Sequence, residues 1–237
     1  MVSSPGDPDV VAAAARNNAE LCDLVSRAHG IDGAFASDAW TSPRRTPPCY
    51  PDAVTLQSSA DATDVLDRID SSPGASVKDS FATLDLVPQG FRILFSAEWI
   101  VRPFVAPARR DDPIRWSKVS DAAGLAEWEA AWTDAGDPLG LFRPDLLTYP
   151  GVAVLRGEMR GAVVAGVVAN RSARVVGVSN FFARTVPVGD AWTGALDAVS
   201  ARFRGLDVVG YESDEMLDAA RRAGFRSIGP LRVWIKD

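Results

Sequence analysis

An arginine, a glycine and an aspartate stand between a strand pattern and a helix pattern, a position that can bind an anion. Arg184, Gly189 and Asp190 follow a β-branched run at residues 175–178 and precede an amphipathic segment. The run is typical of a strand shielded on both faces. A helix N-terminus carries unpaired N–H groups and the positive end of the helix dipole, which favour ligands such as phosphate. Plain α/β architecture has the same pattern, so both interpretations stay open.

The segment after this loop is predicted to be a helix with one buried face. Its large apolar residues recur at intervals of four, three and four: Trp192, Leu196, Val199 and Phe203. Such spacing places them on one side of a helix. We predict Asp190 as the N-cap of this helix and Gly205 as the residue that ends it.

Composition limits the classes of function. A chain of 237 residues can form one large domain or two small ones. Its net charge of −6 argues against a nucleic-acid partner, because phosphate neutralisation needs a basic face. No apolar run reaches membrane-spanning length, and the N-terminus lacks the pattern of a signal peptide. We therefore expect a cytoplasmic protein without a membrane partner.

Cysteine and histidine usage gives no metal site. Cys22 and Cys49 lack the spacing of metal ligands, and His29 is the single histidine of the chain. A zinc site built from these residue types is therefore not expected.

A proline-rich stretch at residues 34–53 lacks periodicity and is predicted to be a long loop. Trp40, Arg44, Arg45 and Tyr50 are aromatic and basic residues of the kind that bind an anionic or flat ligand. Alternatively, Trp40 and Tyr50 pack the loop against the body of the protein, in which case both rings should be largely buried.

The elements before residue 112 are predicted from periodicity and turn residues. A helix begins at Asp9 and is closed by Gly30 at C′. The next elements are a strand at 53–56, a helix at 61–69, and strands at 80–87 and 91–101. Residues 109–112 are charged, follow two prolines, and are predicted to form a linker.

The second half of the chain begins with the same element order. It is predicted to contain a strand at 114–119, a helix that ends near Gly136, and an antiparallel meander at 151–155, 162–169 and 174–180. The helix of residues 190–205 follows. A strand at 208–211, a short helix at 213–223 stopped by Gly224, and a strand at 225–235 complete the chain.

This β-α-β-β-β-α-β-α-β order, together with the ending AARRAGFRSIGPLRVWI at 219–235, resembles the GNAT superfamily of acyl-CoA-dependent N-acetyltransferases. The resemblance implies an α/β (α+β) fold with a mixed, mostly antiparallel sheet and helices on both faces. It predicts a GNAT-like domain at 111–237. Residues 1–110 would hold the N-terminal helix, the proline-rich loop and a degenerate half-copy of the same fold, because 53–102 repeats the opening β-α-β-β order.

The resemblance implies acetyl-CoA as cofactor, bound between the fourth strand and the next helix. The family pattern there is Gln/Arg-x-x-Gly-x-Gly/Ala, whose N–H groups bind the pyrophosphate. One register runs from Arg184 to Gly189 with Pro187 at the middle glycine; the other starts at Val188. The implied cofactor-binding residues are Val178, Asn180, Arg184, Val188, Gly189 and Asp190. Proline lacks an N–H and Asp190 repels a phosphate, so binding is expected to be weak.

The aromatic end of the fourth strand is a second place where the cofactor is expected. Asn180, Phe181 and Phe182 could line the slot for the pantetheine arm, or the two phenylalanines could belong to the core.

The resemblance also implies catalytic residues. The family often has a tyrosine four residues before the Gly-Phe pair, a position held by Ala220 in this chain. The nearest candidates are Tyr211, which could protonate the departing thiolate, and Glu212, which could accept a proton from the ammonium of the acceptor. Sheet packing for Tyr211 and solvent exposure for Glu212 are the alternatives.

Two functions follow from these residues. The first is transfer of an acyl group from acyl-CoA to the amine of a small-molecule or peptide acceptor. The second is a catalytically inactive GNAT-like binding or regulatory module. Pro187, Asp190 and Ala220 favour the second, whereas Arg184 and Gly189 favour the first.

Overall fold

The computed structural model describes residues 8–108, 112–133 and 139–237, which form a mixed α/β fold with mostly antiparallel strands. The helices are α1 (Pro8–Ala28), α2 (Ala62–Leu66), α3 (Ala122–Trp132), α4 (Val188–Arg202) and α5 (Asp214–Arg222). The strands are β1 (Ala34–Phe35), β2 (Ala39–Thr41), β3 (Ala53–Thr55), β4 (Ser76–Asp79), β5 (Phe91–Arg102), β6 (Arg115–Lys118), β7 (Val152–Met159), β8 (Ala162–Arg171), β9 (Val175–Ala183), β10 (Asp207–Glu212) and β11 (Arg226–Lys236). The predicted fold class is confirmed.

The chain divides into two compact units. The first comprises Met1–Ile100, Tyr211–Asp214 and Ser227–Asp237, and the second comprises Val101–Gly210 and Glu215–Arg226. The division into domains 1–110 and 111–237 stays a prediction. Most of the predicted linker, residues 109–111, lies outside the described residues. Gly136, near which the first helix of the second half is predicted to end, also lies outside them.

In the first unit the strands lie in the order β1-β2-β3-β4-β11-β5. β3 and β4 pair in parallel across the crossover that contains α2, whereas β4 and β11 pair antiparallel. In the second unit the equivalent pair around α3, β6 and β7, is antiparallel. The shared element order therefore does not extend to strand pairing, and the half-copy stays a prediction.

The predicted N-terminal helix and its glycine stop are confirmed. Gly30 has a φ of +70° in the left-handed region, which glycine adopts without a steric penalty. The N–H of Ile31 donates to the carbonyl of Ser26 at 3.0 Å, the bond that closes a Schellman motif.

The proline-rich stretch is anchored by one buried indole. Trp40 is fully buried against Cys22 and Val54, and its Nε1 donates to Asp23 Oδ1 at 3.0 Å. Tyr50 is half-buried and packs on the same cluster. The stretch is less irregular than predicted, since β1 and β2 lie in it.

Arg45, a candidate ligand-binding residue of this stretch, is held by the protein itself. Its Nη1 lies 2.7 Å from Oδ2 of the buried Asp52, and its Nη2 donates to the carbonyl of Ser72 at 3.1 Å. The Arg44 guanidinium donates to the carbonyl of Gly30. Both arginines therefore stabilise the packing of the stretch.

The predicted strand at 80–87 is wrong. The strand is β4, which ends at Asp79, and a turn follows it. The buried Asp79 carboxylate accepts hydrogen bonds from the N–H groups of Leu84, at 2.9 Å, and Phe81, at 3.4 Å. The alternating apolar residues after Asp79 resemble a strand in sequence, but this carboxylate satisfies their backbone as a turn.

The apolar residues of β5 are not all buried. Ala97, Trp99 and Val101 are buried, but Ile93 and Phe95 are about two-fifths exposed, at 42% and 37%. Residues 92–96 of the strand are therefore solvent-accessible, whereas Phe91 at its start is buried.

The second unit orders its strands β10-β9-β8-β7-β6. β9 and β10 pair in parallel, and the other neighbours pair antiparallel. The predicted buried face of α4 is confirmed: Trp192, Leu196, Val199 and Phe203 are all nearly inaccessible to solvent. This packing fixes the direction of α4 relative to β9, the strand that leads into it.

Candidate functional site

The parallel ladder between β9 and β10 is short. It joins Asp207 to Val175, Val208 to Val176 and Val209 to Gly177, although β9 continues to Ala183. Residues 178–183 of β9 therefore extend beyond this ladder.

A β-bulge lies in that extension. Val168 faces Ser179 and Gly166 faces Phe182, so Asn180 and Phe181 together oppose a single residue of β8. Asn180 has a φ of +52°, a left-handed conformation that asparagine adopts more readily than most residues. Bulges bend a strand and are frequent beside functional sites. No pattern in the sequence indicates this bulge.

The first turn of α4 differs from the prediction. Its N-cap is Pro187 and not Asp190, and no side chain caps the helix. Proline has no N–H to leave unpaired, and its fixed φ, −59° in this case, suits a helix start. Asp190 is instead the third helical residue, and its exposed carboxylate lies at the positive end of the helix dipole. An anionic ligand at this turn would meet that carboxylate.

Gly189 is exposed in the same turn. A Cβ placed on it would have no heavy atom within 4 Å. The surface over the first turn is therefore open, and the backbone can be approached closely by a ligand.

Arg184 is directed to another helix end. Its Nε donates to the carbonyl of Ala131 at 2.7 Å, and its Nη2 to the carbonyl of Trp132 at 3.1 Å. These are carbonyls at the C-terminus of α3, where a cation is favoured by the helix dipole. The binding of a cofactor phosphate by Arg184 stays a prediction.

Aromatic rings join β9 to α4. Phe181 stacks on Trp192 with ring centroids 3.9 Å apart, and Phe225 contacts Trp192 edge-on at 5.4 Å. Phe182 is buried and packs on Trp128. Phe182 therefore belongs to the core, one of the two alternatives in the sequence.

Two polar groups in this region lack a partner among the residues that the structure describes. The indole Nε1 of Trp192 and the Oγ of Ser179 are both buried without a hydrogen bond. Buried polar groups are normally paired, so a ligand with amide groups would find a donor and a hydroxyl there. Sequence reasoning missed both residues as polar contacts.

Tyr211 lies among groups of the first unit. Its ring is half-buried, with Trp99 edge-on at 5.6 Å and the Lys78 ammonium 4.2 Å from the ring centroid. Lys78 Nζ also lies 3.2 Å from the phenol oxygen of Tyr211. Sequence reasoning does not select Lys78, because 133 positions separate it from Tyr211.

Glu212 is half-buried, and burial raises the pKa of its carboxyl to about 7. A carboxyl that titrates near neutral pH can take up and release protons under physiological conditions. Ala220, the position of the family's tyrosine, is fully buried in α5. A proton donor for the thiolate would therefore have to come from elsewhere in the chain.

The predicted site residues fall into two groups. All six cofactor-binding candidates lie on β9, the loop after it and the first turn of α4, in the second unit. Tyr211 and Glu212 belong to the first unit. No group of side chains able to hold a metal ion occurs within the described ranges. Of the helices in those ranges, none has the length and apolar character needed to cross a membrane.

No protein-family model and no curated protein matches the sequence. Among solved structures, a GCN5-related N-acetyltransferase from Kribbella flavida is similar over 94% of this chain and 95% of its own, with 17% identity and a TM-score of 0.61. A putative GNAT-family acetyltransferase from Novosphingobium aromaticivorans is similar over 94% of this chain and 99% of its own, with 11% identity and a TM-score of 0.55. A GCN5-related N-acetyltransferase-like protein from Streptococcus suis is similar over 97% of this chain and 99% of its own, with 10% identity and a TM-score of 0.54. The chain therefore has the GNAT fold, and the resemblance found in the sequence is confirmed at the level of the fold.

Proposed function

We propose that the protein is an acyl-CoA-dependent N-acyltransferase that uses acetyl-CoA and acts on the amine of a small molecule or peptide. The observation that supports this most is the bulged extension of β9 leading into an uncapped, open helix N-terminus. Fold alone does not decide function, so the proposal is based on that local geometry.

The pyrophosphate of the cofactor would lie at the first turn of α4. The N–H groups of Val188 and Gly189 would face it, and Val178 and Asn180 on β9 would contact the pantetheine arm. Pro187 supplies no N–H. A charge-assisted hydrogen bond contributes about 1.5–3 kcal/mol, so one missing donor lowers affinity by roughly tenfold to a hundredfold.

The chemical step would use two neighbouring residues. The amine attacks the thioester carbonyl, and Glu212 takes a proton from the amine nitrogen as the C–N bond forms. The C–S bond then breaks, and Tyr211 gives its phenolic proton to the departing sulfur. Glu212 and Tyr211 return to their starting protonation states by exchange with water.

A catalytically inactive binding or regulatory module is the second candidate. Its support is that Arg184 is engaged at the end of α3, while Asp190 places a negative charge in the turn that would face the pyrophosphate. Like charges about 5 Å apart repel by roughly 3 kcal/mol at an effective dielectric constant near 20.

Isothermal titration with acetyl-CoA tests the cofactor site on which the transferase depends. The transferase predicts micromolar binding that is lost in the Gly189→Glu variant. Ala122→Glu is the matched control, because it adds the same charge to the exposed first turn of α3 and should leave binding unchanged. No heat at millimolar acetyl-CoA would contradict the transferase and favour the module.

A further inference from the structure

Lys78 is a buried cation whose partners are neutral. Its side chain on β4 is 4% exposed, and its Nζ donates to Asn18 Oδ1 at 2.8 Å and to the phenol oxygen of Tyr211 at 3.2 Å. No carboxylate lies within ion-pair distance of this ammonium among the described residues. All three residues belong to the first unit.

Burying an ammonium without a counter-charge costs free energy, so the groups around Lys78 must offset that cost. The Tyr211 ring contributes a cation–π contact, and the Asn18 carbonyl orients one N–H. Two titratable groups lie near this cluster: Cys22 on α1 interacts electrostatically with Lys78, and Tyr50 interacts with Tyr211 and Cys22. Burial raises the pKa of the Cys22 thiol to about 11, with Lys78 opposing that rise, so the thiol is neutral at pH 7 and supplies no counter-charge.

Hydrogen-bond chemistry then fixes where the phenolic proton can go. An ammonium has three N–H donors and no acceptor. The Tyr211 oxygen can therefore only accept from Lys78, and its own proton must point to a different acceptor. Trp99, which contacts the ring edge-on, restricts rotation of the ring.

We propose that Lys78, anchored by Asn18, is a positioning residue that holds the phenol oxygen of Tyr211 and directs its proton away from Lys78. This inference rests on the proposed function, in which Tyr211 protonates the departing thiolate. When that O–H bond breaks and the S–H bond forms, the phenolate is left beside the Lys78 ammonium, and their opposite charges attract. Water then returns a proton to the phenolate.

The hydrogen bond is tested without substrate by NMR of protein labelled at the tyrosine Cζ carbons. The chain has three tyrosines, so three signals are expected, and Tyr211→Phe assigns the one of interest. Lys78→Met should move the Tyr211 signal. Lys236→Met is the matched control, because Lys236 also lies over an aromatic ring, that of Phe91 at 5.5 Å, and should leave the signal in place.

Kinetics test the positioning role. Lys78→Met should lower kcat at least tenfold, since a general acid contributes roughly a hundredfold to ten-thousandfold, and should leave KM for acetyl-CoA unchanged. Lys78→Arg, which retains N–H donors, should recover part of kcat. If Lys78→Met is poorly folded, Asn18→Ala provides the same comparison with the ammonium retained but less fixed.

The outcomes separate this inference from the proposed function. The positioning role would be overturned if the Tyr211 signal does not move in either Lys78→Met or Asn18→Ala. It would also be overturned if the kcat of Lys78→Met equals that of Lys236→Met. Absence of acetyl-CoA binding by wild-type protein would overturn the transferase, while the NMR signal would still decide whether Lys78 holds the phenol.

Discussion

Replacing Glu212 by glutamine should change how stability depends on pH. A glutamate carboxyl ordinarily has a pKa of 4.5, and burial raises the pKa of Glu212 to about 7 in the folded protein. A difference of one in pKa corresponds to about 1.4 kcal/mol, so ionised Glu212 destabilises the folded state by up to about 3 kcal/mol. The side chain is half-buried, and water screening reduces this figure to about 2 kcal/mol.

The direction in which stability changes with pH follows from proton binding. Between pH 4.5 and 7 the folded protein holds the Glu212 proton more tightly than the unfolded chain, so wild-type stability falls as pH rises through this window. Above pH 7 the penalty is constant. Glutamine does not titrate, so the free energy of unfolding of Glu212→Gln minus that of wild type should increase from pH 5 to 7 and then level off.

Urea unfolding at pH 5, 6, 7 and 8 measures this difference. Glu215→Gln, at an exposed position three residues on, is the matched control for loss of a surface carboxylate and should change stability by less than about 0.5 kcal/mol. A difference in free energy of unfolding between wild type and Glu212→Gln that stays constant across the four pH values would contradict a raised pKa for Glu212.

Three further predictions concern packing and the cofactor. Glu129→Ala should destabilise the protein by about 3 kcal/mol or more in chemical unfolding, because the buried carboxylate accepts three backbone N–H groups at residues 140–142, whereas exposed Glu127→Ala should change little. Trp40→Phe removes the hydrogen bond to Asp23 and should lower the free energy of unfolding by about 1–3 kcal/mol; an unchanged denaturation midpoint would contradict it. Asp190→Asn should tighten acetyl-CoA binding at least about tenfold in isothermal titration, because it removes a repulsion of up to roughly 3 kcal/mol that solvent screens at this exposed turn, and weaker binding would argue against a pyrophosphate at this turn.

Hydrophobic periodicity in the sequence is sufficient to predict the elements whose apolar residues face one core. The helix carrying Trp192 and Leu196 is predictable because its spacing matches one buried face. The strand predicted after Asp79 is wrong, because a single buried carboxylate satisfies the backbone of that segment as a turn. Residue preference favours Asp190 as the N-cap, but the N-cap is Pro187 and no side chain caps the helix.

The candidate site shows a different limit. Residues of β9 and α4 are close in sequence, so a strand–loop–helix pattern can indicate them. The Lys78–Tyr211 pair cannot be found in this way, because the two residues are 133 positions apart and their side chains come together only in the folded chain. The raised pKa of Glu212 likewise comes from burial, which a single sequence does not reveal.

Acyl transfer is measured by the release of free coenzyme A from acetyl-CoA across a panel of primary amines, with mass spectrometry of the amines. Acyl transfer predicts amine-dependent release with matching acetylated product, abolished in Tyr211→Phe and reduced in Glu212→Gln. Release should also decline below pH 7, where Glu212 becomes protonated. Binding of acetyl-CoA without transfer to any amine would contradict acyl transfer and leave a binding module with the GNAT fold.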